Sequence, residues 1–331
     1  DNQTYVFERL PFGLKTAEAS FTRAIRKALG DECDAFTIVY LDDILIASNS
    51  IEEHLYHLNY VLKRLEKVGF KLNADKCEIM KTEIKFLGHT FDEITAEMNE
   101  DTKTAIKNFA RPKNKKGVQA FLGLINWDRR FIKGLAEMTK PLENLLKKNV
   151  KFAWNAEEQR AFNAIKLAFD EAEKLFVIKA DRKFGLYVDA SKFGLGARLY
   201  QYKDSEPEKK YTVAYASRSL KGAELNYTVT EIECLALVWA LKKWHTSLLG
   251  RRIRVHTDHR ALKFLKACSG DSSRIARWIS FLNEFDLEIC HVPGKDNALA
   301  DTLSRNNINN GFAKKAESTK IIASIPHPNE V

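Results

Sequence analysis

The period of the apolar positions changes several times along the chain, and each change marks a different element. Tyr5 to Leu10 reads as a short β segment closed off by Pro11, Phe12 and Gly13, and a helical pattern runs from about Thr16 to Leu29. The apolar run Phe36 to Leu41 stops at Asp42 and Asp43 and resumes at Ile44, Leu45 and Ile46, which predicts two short strands joined at an acidic pair. Leu55, Leu58, Val61, Leu62, Leu65 and Val68 recur at helical spacing, with Gly69 as the stop. A second β pair is predicted around Cys77 to Met80 and Ile84 to Gly88.

From about 101 to 175 the period is helical, with Pro112 and Pro141 as breaks or first-turn residues. After 184 strands return: Phe184 to Asp189, Gly196 to Tyr202 and Tyr211 to Ser217. A long helix over Glu231 to Leu248, a strand over Ile253 to Thr257, helices over Ala261 to Ala267 and Ile275 to Glu284, and a strand over Leu287 to Val292 complete the pattern. Three strands, a helix, then alternating strand and helix predict a mixed sheet flanked by helices. Residues 306–331 lack periodicity and read as a tail or linker.

Composition supports a folded chain: 45% apolar, 11% aromatic, only 15 Gly and 7 Pro, and a length sufficient for two or three cores. No apolar run approaches the ~20 residues that span a bilayer. The start carries neither Met nor a signal-like segment, which reads as an interior fragment or a processed product. Five widely spaced cysteines fit a reduced, intracellular compartment. The net charge of +9 is unevenly spread: residues 1–100 sum to −6, 101–150 to +8, 151–240 to +1, 241–280 to +8 and 281–331 to −2. One island holds Arg111, Lys113, Lys115, Lys116, Arg129 and Arg130. The other holds Lys242, Lys243, Arg251, Arg252, Arg254, Arg274 and Arg277, and both suit a phosphate backbone read without sequence preference.

Four acids stand at element ends in the last part of the chain: Asp189, Glu233 on the first turn of the long helix, Asp258 and Asp301. Taken singly, each reads as a helix cap or surface charge. Gathered, they would repel unless a divalent cation neutralised them, and such an oxygen site suits Mg2+ or Mn2+ in two-ion phosphodiester cleavage. The surrounding words are Val188-Asp189-Ala190-Ser191, Gly194-Leu195-Gly196-Ala197, Ala216-Ser217-Arg218, Asn226 to Glu233, Ala236 to Leu241, Thr257-Asp258-His259, Gly294 to Asn297 and Ala300-Asp301 with Leu303-Ser304-Arg305. This order resembles the retroelement family of ribonuclease H domains. The resemblance implies that Asp189, Glu233, Asp258 and Asp301 are metal ligands, with Glu231 as a cap or supporting acid. The family's His-bearing loop before the last acid is not apparent, since Lys295 stands there.

Earlier words point the same way: Leu10 to Lys15, Tyr40-Leu41-Asp42-Asp43, Gly69 to Leu72 with Lys76 and Cys77, and Phe86-Leu87-Gly88-His89. They resemble the palm of a reverse transcriptase of gypsy-class LTR retrotransposons. Ala120 to Leu124, Asn126, Arg129 to Ile132 and Lys140 to Leu142 resemble its thumb, so the likeness runs nearly unbroken over residues 5–305. Asp128 departs from the thumb pattern and is expected to weaken backbone contact modestly.

The resemblance implies an α+β and α/β multidomain chain. A partial polymerase palm covers 1–100, a helical thumb and connection 101–180, a ribonuclease H-like mixed sheet flanked by helices 181–305, and a tail 306–331. Its implied function is the C-terminal part of an RNA-directed DNA polymerase whose ribonuclease H domain cleaves the RNA strand of RNA:DNA hybrids, with two Mg2+ or Mn2+ per active site. Asp42 and Asp43 would be polymerase metal ligands. Nucleic acid would be bound by Pro11, Phe12, Gly13, Lys113, Lys115, Lys116, Arg129, Arg130, Arg252, Arg254 and Arg277. The family's third polymerase aspartate lies well upstream of the Pro-Phe-Gly segment and Asp1 is too close to replace it, so this chain alone is expected not to polymerise DNA. The alternative is a catalytically inactive nucleic-acid-binding or structural subunit. Expected partners are RNA:DNA hybrid, template-primer, and a second or complete polymerase chain, with no membrane. The expected location is intracellular, in a cytoplasmic particle or the nucleus.

Overall fold

A computed structural model describes residues 13–258 and 273–292. The chain forms two compact units, Asp1–Ile84 and Lys85–Val331.

The first unit is built on two helices and a hairpin. Helix α1 (Ala17–Leu29) buries Ile25 and Leu29 and ends at Gly30, whose φ of 80° suits glycine. Strands β1 (Thr37–Tyr40) and β2 (Asp43–Ile46) pair antiparallel, with Tyr40 opposite Asp43. Helix α2 (Ile51–Lys67) starts at Ser50, whose side chain accepts from the Glu53 amide at 3.1 Å, and Gly69 follows its end with φ 80°. Val61 and Leu65 of α2 close a small core with Ile25, Leu29 and Cys33, onto which Val39, Ile44 and Ile46 pack. Residues 77–80 are not a strand, contrary to expectation. Ile79 and Met80 are adjacent, so an extended chain would send them to opposite faces. Both are about half exposed, and Met80 has a φ of 53°, outside the extended region.

The division between the units falls within β3 (Ile84–Phe86). The partner of β3 is not the expected upstream segment but β4 (His89–Phe91), joined through Leu87 and Gly88 at φ 51° and 77°. Two left-handed residues are what a twisted two-residue hairpin requires. Strand β5 (Thr95–Met98) follows and pairs with β4. Helices α3 (Glu100–Lys107), α4 (Lys115–Trp127), α5 (Leu135–Leu145) and α6 (Ala156–Asp170) come next, and Asn99, Asn114 and Asn155 cap the starts of α3, α4 and α6. Pro141 is neither a break nor a first-turn residue: it lies inside α5 and is buried. It costs the helix one hydrogen bond while its ring fills the core. Strand β6 (Leu175–Phe176) closes the small sheet against β5 where helix was expected.

The remaining strands are β7 (Lys183–Ala190), β8 (Gly194–Lys203), β9 (Glu206–Ser219), β10 (Arg252–Thr257) and β11 (Asp286–His291). They form a mixed sheet in the order β11-β10-β7-β8-β9, parallel across β11-β10-β7 and antiparallel across β7-β8-β9. The expected long helix is two, α7 (Val229–Lys243) and α8 (His245–Leu248), and α9 (Ser273–Leu282) packs on α7. Phe184, Leu186 and Val188 of β7 face the core built with α7. Tyr187, Tyr200 and Tyr215 face the opposite core, shared with Phe121, Ile125, Leu142 and Phe162 of α4, α5 and α6. Gly185 is fixed by close approach: a Cβ there would lie 2.0 Å from the Tyr200 ring. Among the described residues no helix is long and apolar enough to cross a membrane.

Candidate active site

Two parallel neighbours set the site. His256 of β10 stands opposite Tyr187 of β7, so Asp258 and Asp189, each two residues on, reach the same level at the carboxyl ends of adjacent strands. Alternation places Asp189 on the Tyr187 face of the sheet. Glu233 comes from α7, which begins at Val229 rather than Glu231, so this acid lies in the second turn, not the first. The helix start is fixed by a capping box in which Thr228 and Glu231 serve each other's backbone. The Thr228 amide, then its hydroxyl and Arg274 Nη1 at 2.9 Å, hold the Glu231 carboxyl below the usual carboxylate range.

Asp189 is 2% exposed, Glu233 5%, and Asp258 partly buried, and one oxygen of each lies within 4.8 Å of the others. Three carboxylates this close, two of them out of water, fit a hard divalent cation and no softer metal. Asp301 lies outside the described residues.

In the first unit, Asp42 occupies the β1–β2 turn and Asp43 opens β2, both exposed. The turn is strained: Leu41, a residue with a Cβ, has a φ of 54°. Of the expected Pro-Phe-Gly segment, Gly13 is described and exposed, while Pro11 and Phe12 lie outside the described residues.

The basic residues differ in their surroundings. Arg129 Nη2 donates to the Ser217 carbonyl at 2.6 Å, and Arg130 lies over the Phe131 ring, with burial lowering its guanidinium pKa. Arg252 and Arg254 both approach Glu288, at 3.4 and 3.8 Å. Lys115 Nζ donates to the Lys147 carbonyl at 2.7 Å. Lys113, Lys116 and Arg277 are exposed.

One expectation is corrected outright. Asp128 does not face outward beside Arg129 and Arg130: it is fully buried at the end of α4, with its Oδ1 2.6 Å from His89 Nε2. The His89 ring stacks on Phe131, and the Trp127 indole donates to the Leu87 carbonyl. The acid thus ties α4 to the β3–β4 hairpin. The sequence signal was His89 itself, a titratable residue within an apolar strand pattern, whose partner lies 39 positions away.

Residues 1–91 match the family model described as reverse transcriptase (RNA-dependent DNA polymerase), and residues 179–285 match the RNase H-like domain found in reverse transcriptase. The chain is 36% identical over 302 residues to the retrovirus-related Pol polyprotein from transposon 297 of Drosophila melanogaster, covering 91% of this chain and 28% of that protein. It is 36% identical over 306 residues to the transposon Tf2-3 polyprotein of Schizosaccharomyces pombe, covering 91% of this chain and 23% of that one. It therefore spans about a quarter of the length of these relatives. Among solved structures, the foamy viral protease-reverse transcriptase in complex with dsDNA superimposes with a TM-score of 0.72 at 26% identity, over 86% of this chain and 60% of that one.

Proposed function

Because the chain belongs to the reverse transcriptase and RNase H-like region of gypsy-type retrotransposon Pol polyproteins, we propose that its second unit is a ribonuclease H-type endonuclease acting on the RNA strand of RNA:DNA hybrids. The observation that carries this reading is the convergence of Asp189, Glu233 and Asp258 within 4.8 Å inside the RNase H-like match. Asp189, Glu233 and Asp258 would hold Mg2+ or Mn2+, two per site with Asp301, and the chemistry supplied there is activation of a water and stabilisation of the leaving oxygen. The protein's own part is to hold the carboxylates in place. Asp189 is fixed by its pairing with Gly196 in a strand that has neighbours on both sides, Glu233 by a capped helix packed on that sheet, and Asp258 by the end of a strand bonded to β7 and β11. Hybrid duplex is the proposed partner, in keeping with the dsDNA complex of the foamy viral relative. The reading is tested with labelled hybrid and Mg2+: wild type nicks the RNA strand, while EDTA or Asp258→Asn stops it. Cleavage that survives the substitution would remove the assignment.

The strained turn in the first unit supports a second proposal: Asp42 and Asp43 are metal ligands for nucleotidyl transfer in the parent polyprotein. Primer extension by the parent polyprotein should be lost on Asp43→Asn, and full extension would refute the role.

A further inference from the structure

The hairpin that carries Asp42 and Asp43 is too short to hold a strained turn by itself. Strands β1 and β2 share four residue pairs, and no third strand joins them among the described residues. An isolated two-stranded hairpin is at best marginal in water and needs a helix or further strands against it. Leu41 adds to the demand, because a left-handed conformation at a residue with a Cβ persists only where the surroundings enforce it. Val39, Ile44 and Ile46 pack on the core of α1 and α2, but apolar packing is non-directional.

Directional contacts gather at the open end of the hairpin. Among the described residues of the first unit, Thr37 and His57 are the buried polar side chains, and both act at the hairpin's base. The Thr37 hydroxyl donates to the Cys33 carbonyl at 2.8 Å. The His57 ring, from α2, lies flat on Phe36, with centroids 3.7 Å and planes 2° apart, and its Nδ1 is 2.8 Å from Ser48 Oγ. Phe36 precedes β1 and Ser48 follows β2, so one imidazole holds both strands. The Ala47 amide donates to the Phe36 carbonyl at 2.9 Å, continuing the ladder to that point. The link to α2 is tied as well: the Asn49 amide donates to Glu53 Oε2 at 2.7 Å, and Ser50 caps the helix.

A second imidazole meets the same hydroxyl, with His54 Nδ1 3.2 Å from Ser48 Oγ. A serine hydroxyl has one proton, so it donates to one ring and accepts from the other. Glu53 Oε1 lies 4.0 Å from His57 Nε2 and favours the proton there, which leaves His57 Nδ1 as the acceptor. His54 therefore donates through Nδ1, and the order of donation runs from His54 to Ser48 to His57, with Glu53 behind. The acidic turn lies at the other end: Ser48 follows Asp43 by five residues, about 17 Å of extended chain.

We propose that Ser48, His54 and His57 are positioning residues for nucleotidyl transfer: they clamp the base of the hairpin to α2 and so hold Asp42 and Asp43 where a metal ion is bound. The clamp rests on the reading of Asp42 and Asp43 as metal ligands in the parent polyprotein. Its members act through the hairpin rather than on the reacting atoms. A displacement of about 1 Å at a reacting centre costs up to about a hundredfold in rate, so a loosened base is felt at the turn.

The test is primer extension by the parent polyprotein over a Mg2+ series. Ser48→Ala removes the hydroxyl and should lower kcat about tenfold and raise the Mg2+ concentration for half-maximal extension at least about threefold, with the KM for nucleotide changed less. Ser48→Thr, which keeps the hydroxyl, should recover most of both. Ser48→Ala/His57→Leu should be close to His57→Leu alone, since the two changes break one contact. A Ser48→Ala enzyme with the wild-type kcat and Mg2+ midpoint would overturn the proposal. A lowered kcat with an unchanged midpoint would overturn it too, because a smaller folded fraction gives that result without any displacement of the acids. Asp43→Asn in the same assay separates the clamp from the reading beneath it. If Asp43→Asn abolishes extension while Ser48→Ala does nothing, the ligands stand and the clamp falls, whereas full extension by Asp43→Asn removes both. The clamp itself is read in this chain from the ring-nitrogen NMR shifts of labelled histidines at about pH 8, above the imidazole range. The proton is expected on Nε2 of His57 and on Nδ1 of His54, and the same tautomer on both rings would overturn the arrangement.

Discussion

Replacing Asp258 by Asn removes one of three carboxylates whose oxygens lie within 4.8 Å of one another. At that separation and an effective dielectric near 20, each pair of like charges costs about 3 kcal/mol. Asp258 is only partly buried, so water reduces its share, and relief of about 1–2 kcal/mol is a reasonable net figure for the metal-free protein. For a unit of this size that corresponds to a rise in Tm of about 2–4 °C per kcal/mol. The variant should therefore melt higher than wild type in EDTA. In Mg2+ the order should narrow or reverse, because wild type gains about 2.7 kcal/mol at a hundredfold excess over its Kd and the variant much less. Cleavage of the hybrid should fall by at least about a hundredfold, since stabilisation of this kind is worth several kcal/mol. Thermal unfolding with and without Mg2+, with nicking of a labelled hybrid, reads all three quantities. A variant that melts lower in EDTA, or shows the wild-type Mg2+ shift, would refute the view that the acids are gathered for a cation.

Asp128→Ala should destabilise the second unit by about 3 kcal/mol in urea unfolding, because it leaves His89 buried without its partner, and Asp128→Asn should cost less; a loss below about 1 kcal/mol would contradict the pairing. Asp92 presents a pH-dependent case. Burial would raise its pKa, but hydrogen bonds from the Thr95 hydroxyl, the Thr95 amide and the Ile94 amide outweigh it and hold the carboxyl below its usual value. A lowered native pKa contributes stability above the unfolded value and loses it as pH falls through the native one. Asp92→Ala should thus cost about 1–2 kcal/mol at neutral pH, with the gap closing below about pH 4, and a gap constant down to pH 2 would refute the assignment.

Local elements were legible wherever one face is buried and the other wet. The β1–β2 hairpin, α2 and the β7–β9 meander follow their apolar spacing to within a few residues. Reading failed where burial has another origin. Helix α7 lies between the sheet and α9 and is buried nearly all round, so its apolar pattern carries no sign of the stop at Trp244. Pro141 reads as a breaker, but the missing amide is tolerated in a helix whose neighbours bury the ring. Asp128, followed by two arginines, has every mark of a surface residue, and only the chain's return through His89 makes it internal.

The acids and the lysines illustrate the same limit at the level of charge. Asp189, Glu233 and Asp258 could be named from their neighbours in sequence, yet their distances depend on the parallel pairing of β7 with β10 and on α7 crossing the sheet. The +8 island at 101–150 could be counted, but counting cannot tell which charges are spent inside the protein. The fold divides them by position along one helix. Arg129 and Arg130, at the end docked near the acids, are drawn into the structure. Lys113, Lys116, Lys147 and Lys148, at the far end, are exposed and form no ion pair among the described residues. Docking α4 against the sheet draws in the basic side chains at one end of the helix and leaves those at the other end to solvent, so position along one helix, which a charge count does not register, decides which charges remain on the surface.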